Sequence, residues 1–382
     1  MEVLSDLAVA AESSGDLVML FTGDLILDVD EPDHWLSGIA PAVRAADIAI
    51  GHLEVPHTRR GTEQGGDVPA TPAPPENLDA LRRAGFDAVT LAGNHIADWG
   101  SEGIADTIAR LDELGIAHTG AGQALEDARK PARLECGGRR IALLSYNCVG
   151  PEAGWAGPST AGCNYLRLLT SDGSPVAPAA PLADVAADAI ERLGIDIGLA
   201  RRHADLVVVA LHKGIVHTPA KLAPYERSLT AAALAAGTDI IVGHHAHILR
   251  GIETVSGHPV FHGLGNGCVV TQALSPAQDH PARADWARRR KALFGFEPDP
   301  RYTLAPFHPE AVHGVLGIVI VRADGRLDSG VVPVYVEPPG RPVCVTDERA
   351  DAVIAYLERI AAAADLPPQL WRRRSAALWM SA

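Results

Sequence analysis

The sequence predicts an α/β fold, and three observations carry that prediction. Short runs of β-branched and aliphatic residues recur along the chain, most are followed by a stretch with helical spacing, and the runs are apolar almost throughout, as strands buried on both faces of a sheet are. At 382 residues, 47% hydrophobic and 21% charged, the chain is long and apolar enough to bury a large core.

The predicted strands are "LVMLFTGD" (17–24), "DIAIGHLE" (47–54), "FDAVTLAGNH" (86–95), "RIALLSYN" (140–147), "DLVVVALH" (205–212) and "DIIVGHHAH" (239–247). Helical spacing marks 76–85, 101–115, 182–194 and 225–237, and several of these stretches run into a glycine, the residue that accepts the left-handed conformation at a helix end. The later part changes character. Residues 258–270 and 313–337 read as strands and hairpins, and 347–364 as a closing amphipathic helix. Two segments, 150–181 and 274–312, are rich in Pro, Gly, Ala and Trp without a clear period, and in a compact enzyme such stretches are lids or binding loops more often than linkers. Trp155, Trp286 and Trp371 read as packing residues. No internal repeat or composition break divides the chain, so a single domain over 1–382 is expected, with insertions near 150–181 and 274–312.

The formal charge of −14 argues against a nucleic-acid partner, because phosphate binding needs clustered Lys and Arg. The short basic runs "RRRK" (288–291) and "RRR" (372–374) read as solvated helix faces. Five cysteines without C-x-x-C spacing give neither a disulfide framework nor a thiolate zinc site and fit a reducing compartment. The acidic start lacks the basic n-region of a secretory signal, and no apolar run reaches the ~20 residues of a spanning helix. A cytoplasmic protein without a membrane segment is expected.

Polar residues gather where the apolar runs end. Asp24 closes the first run, His52 and Glu54 the second, Asn94 and His95 the third with Asp98 three residues on, His212 the fifth, and His244, His245 and His247 the sixth. In an open α/β sheet the carboxyl ends of strands face the ligand crevice, so residues distant in sequence can converge there. Each has a plain alternative. Gly-Asp is a common turn, Asn94 suits a turn as well, and a lone His212 could be a cap or a buried hydrogen-bonding group. Three histidines in "GHHAH" have few structural uses and are common metal ligands. Asp, Glu, Asn and His without thiolate form a set that suits Mn²⁺, Fe or Zn²⁺. A pair of such cations ~3.5–4 Å apart can activate a shared water and clamp a tetrahedral oxyanion.

With these residues in order, the chain resembles the CapA family of capsule and poly-γ-glutamate biosynthesis proteins, within the calcineurin-like metallophosphoesterase superfamily. The resemblance rests on "TGD", "HLE", "GNH", "LHKG", "GHHAH" and "GLGN", which follow one another across residues 17–270. It implies a layered α/β/β/α sandwich with mixed sheets and two divalent ions. By matching position, Asp24 and His247 would hold the first ion, Glu54 would bridge, and Asn94, His212 and His245 would hold the second. His95 would be the acid that is not a ligand, and Asp98 the carboxylate that orients it.

The sequence also departs from that pattern. Ile26 stands where many relatives have His, His52 where Asn is usual, Lys213 where Trp is usual, and Val216 where an acidic residue is common. His52 could compensate for Ile26 or contact substrate, and either His244 or His245 could be the ligand. The expectation is a dinuclear-metal hydrolase, phosphoesterase-like, acting on a small-molecule or short peptide-like substrate, with homo-oligomerisation open. The alternatives are amide chemistry on a γ-glutamyl or other acidic metabolite, and a non-catalytic binding subunit.

Overall fold

The computed structural model describes residues 15–65, 68–272, 280–297, 299–304, 307–374 and 377–380. Residues 1–14, where the acidic start falls, and 273–279, within the second insertion, lie outside them.

Strands β1 (Leu17–Leu27), β2 (Ile48–Leu53), β3 (Ala88–Thr90) and β4 (Ala117–Thr119) lie side by side, each parallel to the next. Next come β5 (Ala132–Cys136), β6 (Arg139–Asn147), β7 (Leu206–Lys213), β8 (Ile240–His245), β9 (Ile252–Val255) and β10 (His258–Phe261), which form a second, six-stranded sheet in the order β9-β10-β8-β7-β6-β5. The chain then returns to the first sheet. Strand β11 (Asn266–Val270) pairs parallel to β1, while β12 (His313–Val321) pairs antiparallel to it and continues antiparallel into β13 (Leu327–Glu337). The short strands Arg341–Cys344, Ala377–Met380 and Trp371–Arg374 complete ten strands. Both sheets are therefore mixed: the parallel strands are central in the second, whereas in the first they run from β1 out to the edge at β4.

Three cores separate the layers, and the period of two along β1 sorts its side chains between them. Val18 and Leu20 point to the core beneath helices Leu78–Ala84 and Gly100–Leu114, together with Leu81, Ile104 and Leu111. Met19 and Phe21 point the other way, into the core between the sheets, where Leu143, Val208 and Val242 meet them. On the far side of the second sheet Leu144, Val207 and Val209 pack against helices Ala187–Arg201 and Pro224–Ala235. The architecture is the expected α/β/β/α sandwich.

Some local expectations need correction. Residues 182–194 are not one helix. Leu182–Val185 is a strand paired with Leu168–Thr170, and the helix after it runs to Arg201, past Gly194. The helical period reads through a hairpin whose partner strand is invisible locally, and Gly194 has open space around it, so nothing ends the helix there. Residues 372–374 sit on an edge strand instead of a helix, because the adjacent Ala377–Met380 strand offers a pairing partner. The insertion that reads as aperiodic contains the helix Pro281–Phe294. Within it Arg288 and Arg289 are exposed, as a solvated face requires.

Candidate metal centre and its cavity

Strand register brings the predicted residues together. Asp24 on β1 stands opposite His52 on β2 and opposite Asn266 on β11, and His212 on β7 stands opposite His244 on β8. Two glycines make these approaches feasible. A Cβ on Gly23 would fall 1.9 Å from the Gly265 carbonyl oxygen, and one on Gly243 would fall 2.1 Å from that of His262. The glycines of "TGD" and "GHHAH" are thus demanded by backbone crossing directly before the polar residues.

Asp24, His52, Glu54, Asn94, His212, His244, His245 and His247 are all buried. Among the described residues two groups bring ligand atoms within 4.8 Å of one another: Asp24 with His52 and His212, and Asp24 with Glu54 and His247. Asp24 is common to both, and His52 enters one. His212 Nε2 lies 2.7 Å from Asn94 Oδ1, and His247 Nε2 lies 3.2 Å from Glu54 Oε1. The second contact is an ion-pair distance without hydrogen-bond alignment, so both Glu54 oxygens lack a hydrogen-bond partner. His52 Nε2, His212 Nδ1, His244 Nδ1 and both ring nitrogens of His245 lack one too.

The two candidate histidines differ. His244 Nε2 lies 3.2 Å from the Thr22 carbonyl oxygen and its ring stacks on His52, whereas His245 lines the cavity with neither nitrogen engaged. His95 Nδ1 is 2.7 Å from Asp98 Oδ2, which also accepts the Ala70 N–H at 2.7 Å.

Proton affinities follow from burial and crowding. Burial raises the Asp24 carboxyl well above its ordinary range, and the charge of Glu54 adds to this. Burial would raise Glu54 as well, but the charge and contact of His247 outweigh it and hold Glu54 near about 2. His247 gains reciprocally: burial would lower it, yet Glu54 and then Asp24 raise it to about 9. Burial lowers His52, His212, His244 and His245 into neutrality, aided by neighbouring imidazoles for His52, His212 and His245. The neutral imidazoles are in the protonation state that a cation needs, whereas His247 and Asp24 would give up protons to one.

Several residues here have a place in the site that sequence reading alone does not assign. Asn266, of "GLGN", accepts a hydrogen bond from His247 Nδ1 at 3.0 Å and so turns Nε2 toward Glu54. Asn147 donates to the carbonyls of Gly93 and Gly150, fixing the turn that carries Asn94. Beside the carboxylates and imidazoles opens a cavity of about 140 Å³, reached by Asp28, His217, Arg283, Trp286, Phe294 and Phe307 as well as Glu54, His95, His245 and His247. Trp286 is therefore a wall of this cavity as well as a packing residue, 6.1 Å from the His217 ring. Trp155 stacks on Tyr165 at 4.1 Å and Trp371 packs against the inter-sheet core, as expected. Ile26 faces the cavity. Lys213 turns away, its ammonium 2.6 Å from the Glu226 carboxylate. The first insertion contributes Pro178 to the cavity wall.

No helix among the described residues is long and apolar enough to cross a membrane. The PGA biosynthesis protein CapA of Bacillus subtilis (strain 168) is 29% identical over 268 residues, covering 70% of this chain and 64% of its own length. The capsule biosynthesis protein CapA of Bacillus anthracis is 27% identical over 264 residues, 65% of this chain and 59% of that protein. The chain thus spans about three fifths of the curated relatives it matches. Among solved structures, the calcineurin-like phosphoesterase YfkN from Bacillus subtilis overlays with a TM-score of 0.34 at 13% identity, covering 90% of this chain and 98% of that one. The family model described as bacterial capsule synthesis protein PGA_cap matches residues 14–269, two thirds of the sequence, and the chain belongs to that family.

Proposed function

We propose that this protein is a dinuclear-metal-dependent hydrolase of the phosphoester type, acting on a small soluble substrate. The observation that supports it most is the set of buried, unpartnered imidazole and carboxylate atoms gathered around Asp24. Each such atom costs roughly 1–3 kcal/mol if nothing satisfies it, and divalent Mn, Fe or Zn suits this donor set. Asp24, His52 and His212 would hold one cation, and Asp24, Glu54 and His247 the other, with Asn94 and His245 adding donors. Bound there, the pair supplies Lewis acidity toward a developing oxyanion.

The chain's own residues do the rest. His95, anchored through Nδ1 by Asp98, presents its other nitrogen to protonate a leaving oxygen. Asn266 and Asn147 hold the imidazole of His247 and the turn of Asn94 in place. Phe307, Trp286 and Phe294 keep water from the apolar side of the cavity. Five free cysteines support a cytoplasmic setting.

A second reading is chemistry at an amide, favoured by the relative named for PGA biosynthesis and by the resemblance to poly-γ-glutamate biosynthesis proteins; a Lewis acid polarises a carbonyl as readily as a phosphoryl oxygen. The deciding experiment measures metal content by plasma mass spectrometry and compares phosphate release from p-nitrophenyl phosphate with cleavage of γ-glutamyl p-nitroanilide. Phosphate release with two equivalents of metal supports the first reading, and amide cleavage alone supports the second. Neither activity, with less than one equivalent of metal, would leave a binding subunit.

A further inference from the structure

The cavity beside the candidate metal centre carries opposite charges on an apolar frame. Asp28 lies just past the end of β1, and its Oδ2 accepts a hydrogen bond from Thr271 at 2.6 Å while Oδ1 is buried without a partner. Arg283 comes from the helix Pro281–Phe294. One of its terminal nitrogens donates to the Pro69 carbonyl at 3.0 Å, and the nearest carboxylate that pairs with it, Glu63, stands 3.7 Å away and is already held by His280 at 2.9 Å. The Arg283 Nε is buried and unpartnered. Rings line the same cavity: Phe294 lies 4.9 Å from His217, Trp286 lies 5.6 Å from Phe294, and Phe307 lies 5.0 Å from His247. A substrate that was only a phosphoester would need neither the carboxylate nor the aromatic walls.

We propose that this cavity takes an α-amino acid moiety with an apolar or aromatic side group, Asp28 receiving its ammonium, Arg283 its carboxylate, and Trp286, Phe294 and Phe307 enclosing the side group. The proposal rests on the hydrolase reading above and names the substrate class for it. An apolar cavity of roughly 150 Å³ accommodates a benzene ring, so the volume of about 140 Å³ for the whole cavity limits the enclosed side group to at most one ring or a branched alkyl group. The contact between Phe307 and His247 puts that side group next to the candidate metal centre, so the bond offered for cleavage is one borne by the side group. Burial holds the Asp28 carboxyl near about 7, against the lowering effect of Thr271 and Arg283, and an arriving ammonium would draw it into the ionised form.

The test is calorimetric titration of the metal-supplemented full chain with L-phenylalanine, N-acetyl-L-phenylalanine and L-phenylalanine amide. Phenylalanine is expected to bind at least tenfold more tightly than either analogue. Asp28→Asn should abolish the discrimination against the N-acetyl compound while keeping that against the amide, and Arg283→Gln should do the reverse. Equal affinity for all three ligands, or no binding of phenylalanine to a chain that releases phosphate from p-nitrophenyl phosphate, overturns the proposal and leaves the hydrolase reading standing. Selective binding by a chain that holds no metal and hydrolyses nothing has the opposite meaning.

Discussion

His95 and Asp98 face each other with Nδ1 and Oδ2 2.7 Å apart, and the same carboxylate oxygen is fastened to the backbone of the loop at Ala70. That arrangement fixes the ring's orientation and favours a proton on Nδ1, and in the proposed mechanism Nε2 is the nitrogen that exchanges one with substrate. His95→Ala is expected to lower turnover roughly 10²- to 10⁴-fold with metal content unchanged. Asp98→Asn should cost about 10- to 100-fold, as loss of an orienting carboxylate does. Turnover of purified variants beside their metal stoichiometry checks both; a fall in metal for His95→Ala would make it a ligand.

His52 is proposed as a ligand on the His212 side of the candidate centre. It groups with Asp24 and His212, and its Nδ1 is 2.9 Å from Thr90 Oγ1, which leaves Nε2 for a cation. His52→Ala is expected to reduce bound metal from two equivalents toward one. Saturating Mn²⁺ at ~100 times its dissociation constant should stabilise the wild-type chain by about 2.7 kcal/mol, seen as a higher thermal midpoint, and chelation should reverse this.

Glu226 joins two cations in the interior, Lys213 at 2.6 Å and Arg250 at 2.8 Å, with all three side chains fully buried. Burial alone would raise its carboxyl, but the two cations hold it near about 2. Its folded-state affinity for protons is thus depressed, so its stabilising contribution is complete above the unfolded value near 4.5 and is lost as pH falls toward 2. Glu226→Gln should destabilise the fold by roughly 3–5 kcal/mol at neutral pH and flatten that acid limb in urea titrations.

Asp28 tilts stability the other way. Its carboxyl, raised to about 7 chiefly by burial, binds protons more tightly folded than unfolded. Its contribution is therefore largest below pH 3.8 and falls away as pH rises toward 7. Asp28→Asn should remove that decline and leave the variant more stable than wild type at pH 8 by on the order of 2 kcal/mol. Denaturant midpoints at pH 5 and pH 8 measure it.

At the end of β1, Gly23→Ala is expected to disturb the fold and the position of Asp24 together, because its Cβ would collide with the Gly265 carbonyl. Lower metal content and a lower thermal midpoint in one variant are the expected readout.

The strand ends were legible because each puts a polar residue directly after an apolar run, and strand ends are where α/β sheets gather ligands. The layered sandwich followed from the family resemblance. Asp28, His217 and Arg283 were not legible as site residues: a loop, a turn and a helix bring them in, and nothing within a few residues of each records which cavity it will face. Asn266 stood in a quoted motif without a role, since its contact with His247 depends on the parallel pairing of β11 with β1. The helix read into 182–185 failed for a related reason, as the hairpin partner at 168–170 is not local.

The two sheets divide the labour. Asp24, His52, Glu54 and Asn94 lie on or just past strands of the first, and His212, His245 and His247 on or just past strands of the second. Neither half alone amounts to a coordination shell, so a partly assembled chain has no weaker version of the centre to offer. Any ion captured there acts as a rivet between the layers, and its arrival marks the moment the sandwich closes.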